Sequence, residues 1–334
     1  MKRKFKVILT IISACVLINV VKAADELVIY SGRSKSLVEP IIKKFEQENT
    51  IKVNVKYGNT AQLALTLMEE GNKSPADLFW AQDGGALGVI SKNKQFTLLP
   101  PETLSLVPKK FQGASNQDWI ATSIRARVIA YATEHLQAKD VPSSVFDLTA
   151  PKWEGRVGWA PRNASFQSFV TGMRVLVGEE KTESWLRAMK DNKTKNYPKN
   201  TPIIQALAAG EIHLGLPNHY YLLRFKKSNA KFPVEQKFFQ SGDPGNLVNV
   251  AGIGVLKTSQ HPKMAQKLVN YLLSAKAQQY FSSQVFEYAV TDETIPNPQL
   301  LPLDELVKQS PSIDLGQLDD TEGTLKLLQR VGLL

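Results

Sequence analysis

Pro217-Asn218-His219-Tyr220-Tyr221 sets two phenols side by side, and no other segment of the 334-residue sequence points so directly at one kind of chemistry. It follows a strand-like run, Ile212 to Leu216, and precedes the helical-looking Leu222-Leu223-Arg224-Phe225. Consecutive side chains on a strand face opposite ways, but at a strand-to-helix junction both can converge on one point. Such junctions line the crevice of α/β sheets. A free phenol ionises near a pKa of about 10, so binding through phenolate needs a strong Lewis acid to displace the proton. A small, hard, highly charged cation such as Fe(III) does this, whereas Ca²⁺ and Mg²⁺ take carboxylates and carbonyls. On residue type alone, two aromatics packing a lobe surface remain the alternative.

A second group of residues suits an anion. Arg33 follows the first predicted strand, Arg125 and Arg127 open a long apolar run, and Asn163-Ala164-Ser165 precedes a helix. Asn200 ends the loop before another helix, and Asn218 adjoins the tyrosines. Backbone N–H groups left free at helix starts hold oxyanions. Taken singly, each of these residues reads better as a cap or a surface group; what joins them is their shared placement at strand ends and helix starts. The four histidines, His135, His213, His219 and His261, form no pair at metal-ligand spacing, and no G-x-S-x-G, phosphate-loop or dinucleotide fingerprint occurs. Catalysis would rest on isolated carboxylates, so the chain is not expected to be an enzyme.

The elements that must position these residues alternate strand and helix. Leu27 to Tyr30 reads as a buried strand, followed by a helix with Val38, Ile41, Ile42 and Phe45 on one face. Ile51 to Tyr57 alternates as a strand; Thr60 is placed as the cap of a helix that Gly71 ends. Asp77 to Trp80 is a third strand. Arg125–Thr133 and Leu247–Leu256 are long apolar runs, and between them Phe166, Phe169, Val170 and Met173 mark a helix face. The pattern predicts an α/β fold of two lobes, the second inserted into the first. Residues 24–125 and 257–334 form lobe 1, residues 134–246 lobe 2, and two extended crossings at 126–133 and 247–256 form a hinge over a ligand cleft.

The N-terminus predicts export. Lys2, Arg3, Lys4 and Lys6 precede an apolar run from Val7 to Val21, and Val21-Lys22-Ala23 suits a signal peptidase, making residues 1–23 a signal peptide. A lipid anchor on Cys15, within Ile12-Ser13-Ala14-Cys15, is the minor alternative. Cys15 is the sole cysteine, so the exported chain has no disulfide and no thiolate site. The whole chain carries +10, and losing the leader's five basic residues leaves +5. The remaining lysines are scattered without stacking aromatics, which argues against nucleic acid as a partner.

The sequence resembles the periplasmic ferric-ion-binding proteins of bacterial ABC importers, within the type II periplasmic-binding-protein fold. The matching stretches are Val28-Ile29-Tyr30-Ser31-Gly32-Arg33, Lys73 to Trp80, Arg125-Ala126-Arg127-Val128, Pro151 to Gly158, Asn218-His219-Tyr220-Tyr221 and Asp243 to Val248. The resemblance implies Tyr220 and Tyr221 as phenolate ligands of Fe(III), with carbonate or phosphate as synergistic anion held at Asn163, Ala164, Ser165, Asn200 and Asn218. Arg33 resembles the arginine that holds carbonate in some relatives, with Arg125 helping to compensate charge. It also implies a monomer that delivers iron to an inner-membrane ABC permease from the periplasm. The histidine and glutamate that some relatives add are replaced by Ser34 and Gln82, and a third tyrosine by Phe166. Tyr57 and Tyr30 are outside candidates for a further phenolate. His219 stands where relatives often carry Asn and is expected to point away from the metal. Two other readings stay open: the same fold binding an anionic organic solute such as a phosphonate or sugar phosphate, and a periplasmic hydrolase with a carboxylate pair.

Overall fold

A computed structural model describes residues 26–113 and 116–334. The expected signal peptide and Cys15 lie outside the described residues. Two five-stranded mixed sheets each carry helices on their faces, giving two α/β lobes.

The first sheet runs in the order β2-β1-β3-β10-β4. Its strands are β1 (Glu26–Ser31), β2 (Lys52–Tyr57), β3 (Leu78–Ala81), β4 (Ile120–Ala126) and β10 (Val248–Val255). Helices α1 (Lys35–Asn49), α2 (Thr60–Glu70), α3 (Gly84–Lys92) and α4 (Pro101–Leu104) belong to the same half. The predicted face of α1 is the buried one, with Val38, Ile41, Ile42 and Phe45 all in the core. The cap of α2 is Asn59 rather than Thr60. Its carboxamide oxygen accepts from the Ala61 and Gln62 amides, which the shorter Thr60 hydroxyl, already inside the helix, does not reach.

The second sheet has the order β7-β6-β8-β5-β9, with β5 (Ile129–Ala132) antiparallel to its two neighbours, β8 (Leu214–Gly215) and β9 (Val234–Lys237). Strands β6 (Val157–Trp159) and β7 (Lys195–Asn196) complete it. Around it lie α5 (Ala164–Val177), α6 (Glu179–Asp191), α7 (Asn200–Ala208) and α8 (His219–Ser228). On α5, Phe166, Phe169, Val170 and Met173 are buried as the spacing predicted. The last helices are α9 (Pro262–Leu273), α10 (Ala275–Tyr280), α11 (Leu303–Gln309) and α12 (Thr321–Val331). No helix among the described residues is long and apolar enough to cross a membrane.

The strand pairing moves the expected boundaries. The first crossing contracts to Arg127-Val128, because β4 pairs with β10 up to Ala126 and β5 joins the other sheet from Ile129. The second crossing is not 247–256. Of those residues, 248–255 form β10, hydrogen-bonded between β3 and β4 inside the first sheet, and the chain changes lobes earlier, across 238–247. A strand covered on both faces reads as the same apolar run as a linker between lobes, so the pattern cannot separate them. The C-terminus also departs from the expected lobe 1. Leu327, Leu328 and Val331 of α12 pack into the second core beside Phe169, Met173 and Trp185. The chain therefore passes between the lobes a third time, between α11 and α12.

Candidate metal centre

The tyrosine pair sits on the first turn of α8. The chain leaves β8 through Leu216-Pro217, and Asn218 holds extended backbone before the helix starts. Proline suits this exit because it needs no donor where strand pairing has ended. The Tyr220 and Tyr221 rings stack with centroids 4.4 Å apart and planes 28° apart, so the two phenols leave the helix on one side. Tyr220 is buried and Tyr221 half-buried. Burial and the neighbouring Tyr221 raise the Tyr220 phenol, while Arg125 pulls it down. The guanidinium of Arg224, one turn further along, lies 5.0 Å from the Tyr220 ring centre and 6.0 Å from that of Tyr221.

Beside the pair is a small cavity between the lobes, of about 30 Å³, with room for roughly two waters. Arg125, Arg127, Ala164, Ser165 and Asn218 line it, joined from lobe 1 by Gln82, Asp83 and Asn249. Asn163 stands behind Ser165 as the α5 cap: its side-chain oxygen accepts from the Ser165 amide at 3.0 Å and the Ser165 hydroxyl at 2.6 Å. Asn200 is fully buried on the other side, its Nδ2 donating to the Ser165 hydroxyl at 3.3 Å and its Oδ1 without a protein partner. Four of the seven expected anion residues thus reach the cavity wall, and Asn163 and Asn200 position one of those four.

Arg33 is placed differently. Its Nη2 donates to Glu287 at 2.8 Å and its Nη1 to the Gln82 side chain at 2.8 Å, all inside lobe 1. Burial alone would raise Glu287, but Arg33 and Arg125 outweigh it and hold the carboxyl below its usual range. Arg33 therefore neutralises a buried carboxylate and reaches the cavity only through Gln82. Tyr30 and Tyr57 do not join the pair. The Tyr30 hydroxyl donates to Glu70 at 2.9 Å, and Tyr57 lies on β2, at the sheet edge. Phe166 is core, edge-on to Trp159 at 5.4 Å between ring centres.

Arg127 is the residue whose importance the spacing understated. It donates to the Leu216 carbonyl and, at 2.9 Å, to the Ser165 carbonyl, with the Phe169 ring centre 4.9 Å from its guanidinium carbon. Burial pulls it down to about 9, against the upward push of both phenols, so it stays charged at neutral pH. Its place at a lobe crossing was the available signal. Glu287 gave none, lying 254 residues from Arg33. His219 turns away from the cavity: Nδ1 accepts from the Ala126 amide at 3.1 Å and Nε2 donates to the Phe286 carbonyl at 2.7 Å.

Residues 72–304 match the family described as bacterial extracellular solute-binding protein. The chain belongs to that family. It is 32% identical over 316 residues to the Fe(3+)-binding periplasmic protein of Serratia marcescens, covering 93% of this chain and 92% of the relative. Iron-bound HitA from Pseudomonas aeruginosa superposes with a TM-score of 0.85 at 34% identity, over 92% of this chain and all of that one. The Trichodesmium IdiA (FutA) structure in complex with iron and citrate ligands gives 0.77 at 27% identity, again over 92% and 100%. These are binding proteins with the same two-lobed α/β architecture.

Proposed function

We propose that this protein captures Fe(III) in the periplasm through the phenolates of Tyr220 and Tyr221, with a bound anion, and hands it to an inner-membrane ABC permease. The observation that carries the reading is the stacked tyrosine pair on the first turn of α8, beside the cavity lined by Arg125 and Arg127. Two phenolates leave Fe(III) with one net positive charge. A carbonate or phosphate dianion reverses that sign, and two buried guanidiniums offset it. Similarity to ferric-binding relatives over nine-tenths of the chain supports the same reading. No step in capture and release needs bond-making catalysis, so the role is that of a carrier.

Two phenolates on Fe(III) give a ligand-to-metal charge-transfer band in the visible. Purified protein with Fe(III) and carbonate should show it. Tyr220→Phe and Tyr221→Phe should each weaken binding at least tenfold, and the double variant should lose the colour. An uncoloured parent, or a coloured double variant, ends the proposal.

A further inference from the structure

His219 makes contacts that metal binding does not use. Both of its ring nitrogens bond to backbone of the other lobe. The Phe286 carbonyl 2.7 Å from Nε2 can only accept, so Nε2 carries the proton and Nδ1 takes the Ala126 amide at 3.1 Å. A buried histidine satisfied by any two partners would only be packing. These two partners are not interchangeable with others. Ala126 ends β4 and is followed at once by Arg127 at the first crossing. Phe286 immediately precedes Glu287, the carboxylate that holds Arg33. Phe286 also adopts φ 61°, a left-handed conformation that a bulky side chain enters only when its surroundings hold it there. Tyr220 and Leu223 of α8 pack on that same phenylalanine, and the His219 ring lies edge-on to Tyr220 and tilted 4.7 Å from Tyr288.

Building on the ferric reading, we propose that His219 is a positioning residue that pins the start of α8 to the pivot between the lobes, fixing where Tyr220 and Tyr221 stand. The tyrosines then move least when the lobes part, while Gln82 and Asp83, before the start of α3, move away with lobe 1. Iron stays on the pair until the far wall and the anion leave, so the two hydrogen bonds set the release rate without touching the metal.

The test compares His219→Leu, similar in bulk but with neither hydrogen bond, and His219→Gln, whose amide can accept from Ala126 and donate to Phe286. The measurements are the charge-transfer band, the rate of iron loss to a chelator at fixed carbonate, and the unfolding midpoint of iron-free protein. His219→Leu should keep the wavelength of the band and lose iron at least tenfold faster, and His219→Gln should recover most of the difference. Release from His219→Leu within twofold of the parent overturns the proposal, as does equal acceleration in both variants. If the leucine variant does not fold, His219→Asn, too short to span both partners, takes its place against His219→Gln. An uncoloured parent would sink the ferric reading alone. His219 is then judged on iron-free protein by the distance between spin labels at Lys43→Cys and Lys139→Cys, which no cysteine of the described chain confuses. His219→Leu must shift or broaden that distance and His219→Gln restore it; an unchanged distribution overturns the pivot.

Discussion

Arg127 combines tasks that lysine cannot divide. Its planar fork reaches two carbonyls, Leu216 and Ser165, while its face lies against Phe169. Arg127→Lys keeps the charge and loses the fork, so anion-dependent iron affinity should fall about tenfold, the weight of about 1.4 kcal/mol. Competition with a chelator at varied carbonate would show it, and an unchanged carbonate dependence would exclude Arg127 from the anion site. The phenols make a separate prediction. Burial raises Tyr220 in the iron-free state, so at neutral pH that phenol is protonated and loading must expel its proton. Protonation favours the metal-free form, so affinity falls as pH falls. Proton uptake measured in weak buffer should accompany iron release, and iron binding with no proton exchange would contradict phenolate ligation.

At the scale of elements, the site depends on how helices begin. Asn163 caps α5 and orients Ser165 by two contacts, whereas α8 begins after Asn218, a residue of the cavity wall, with no side-chain cap. Asn163→Ala should cost about 1 kcal/mol of stability, read as a lower urea midpoint. It should also weaken anion binding more than Asn59→Ala, which removes a comparable cap from α2, away from the cavity wall. Equal effects on anion binding would mean that Asn163 is a cap and nothing more. The helix faces were legible in the residues because burial follows the periodicity. The caps were less so, since Asn59 and Thr60 both suit the role and only backbone conformation decides between them.

For the whole molecule, the third passage between lobes alters how opening is to be understood. Residues 315–319 lie across α3, and α12 continues onto α5 and α6. Both α3 and α5 begin at the cavity, so this strap ties together the two helices whose starts face it. Glycines make the contact possible: a Cβ on Gly85 would stand 2.1 Å from the Leu318 carbonyl oxygen, and one on Gly88 2.6 Å from that of Gly316. Gly85→Ala should therefore displace the strap at a cost of about 1–3 kcal/mol. Hydrogen exchange should rise in residues 314–331 while the β1 and β5 amides stay protected. If exchange there is unchanged, the strap is not held by this contact.

The sequence by itself determined the strand and helix alternation, the buried faces of α1 and α5 and the adjacency of the two tyrosines, because those follow from local periodicity and residue chemistry. Whole-chain similarity to ferric-binding proteins supported the functional reading that the pair suggested. What only the tertiary structure decided were relations between distant segments. The lock of Glu287 on Arg33, the bond of Tyr30 to Glu70 and the seating of α12 on lobe 2 join residues with no shared local pattern. The same holds for β10: an apolar run looks alike whether it links two lobes or fills the middle of a sheet, and only its hydrogen-bonded neighbours tell which.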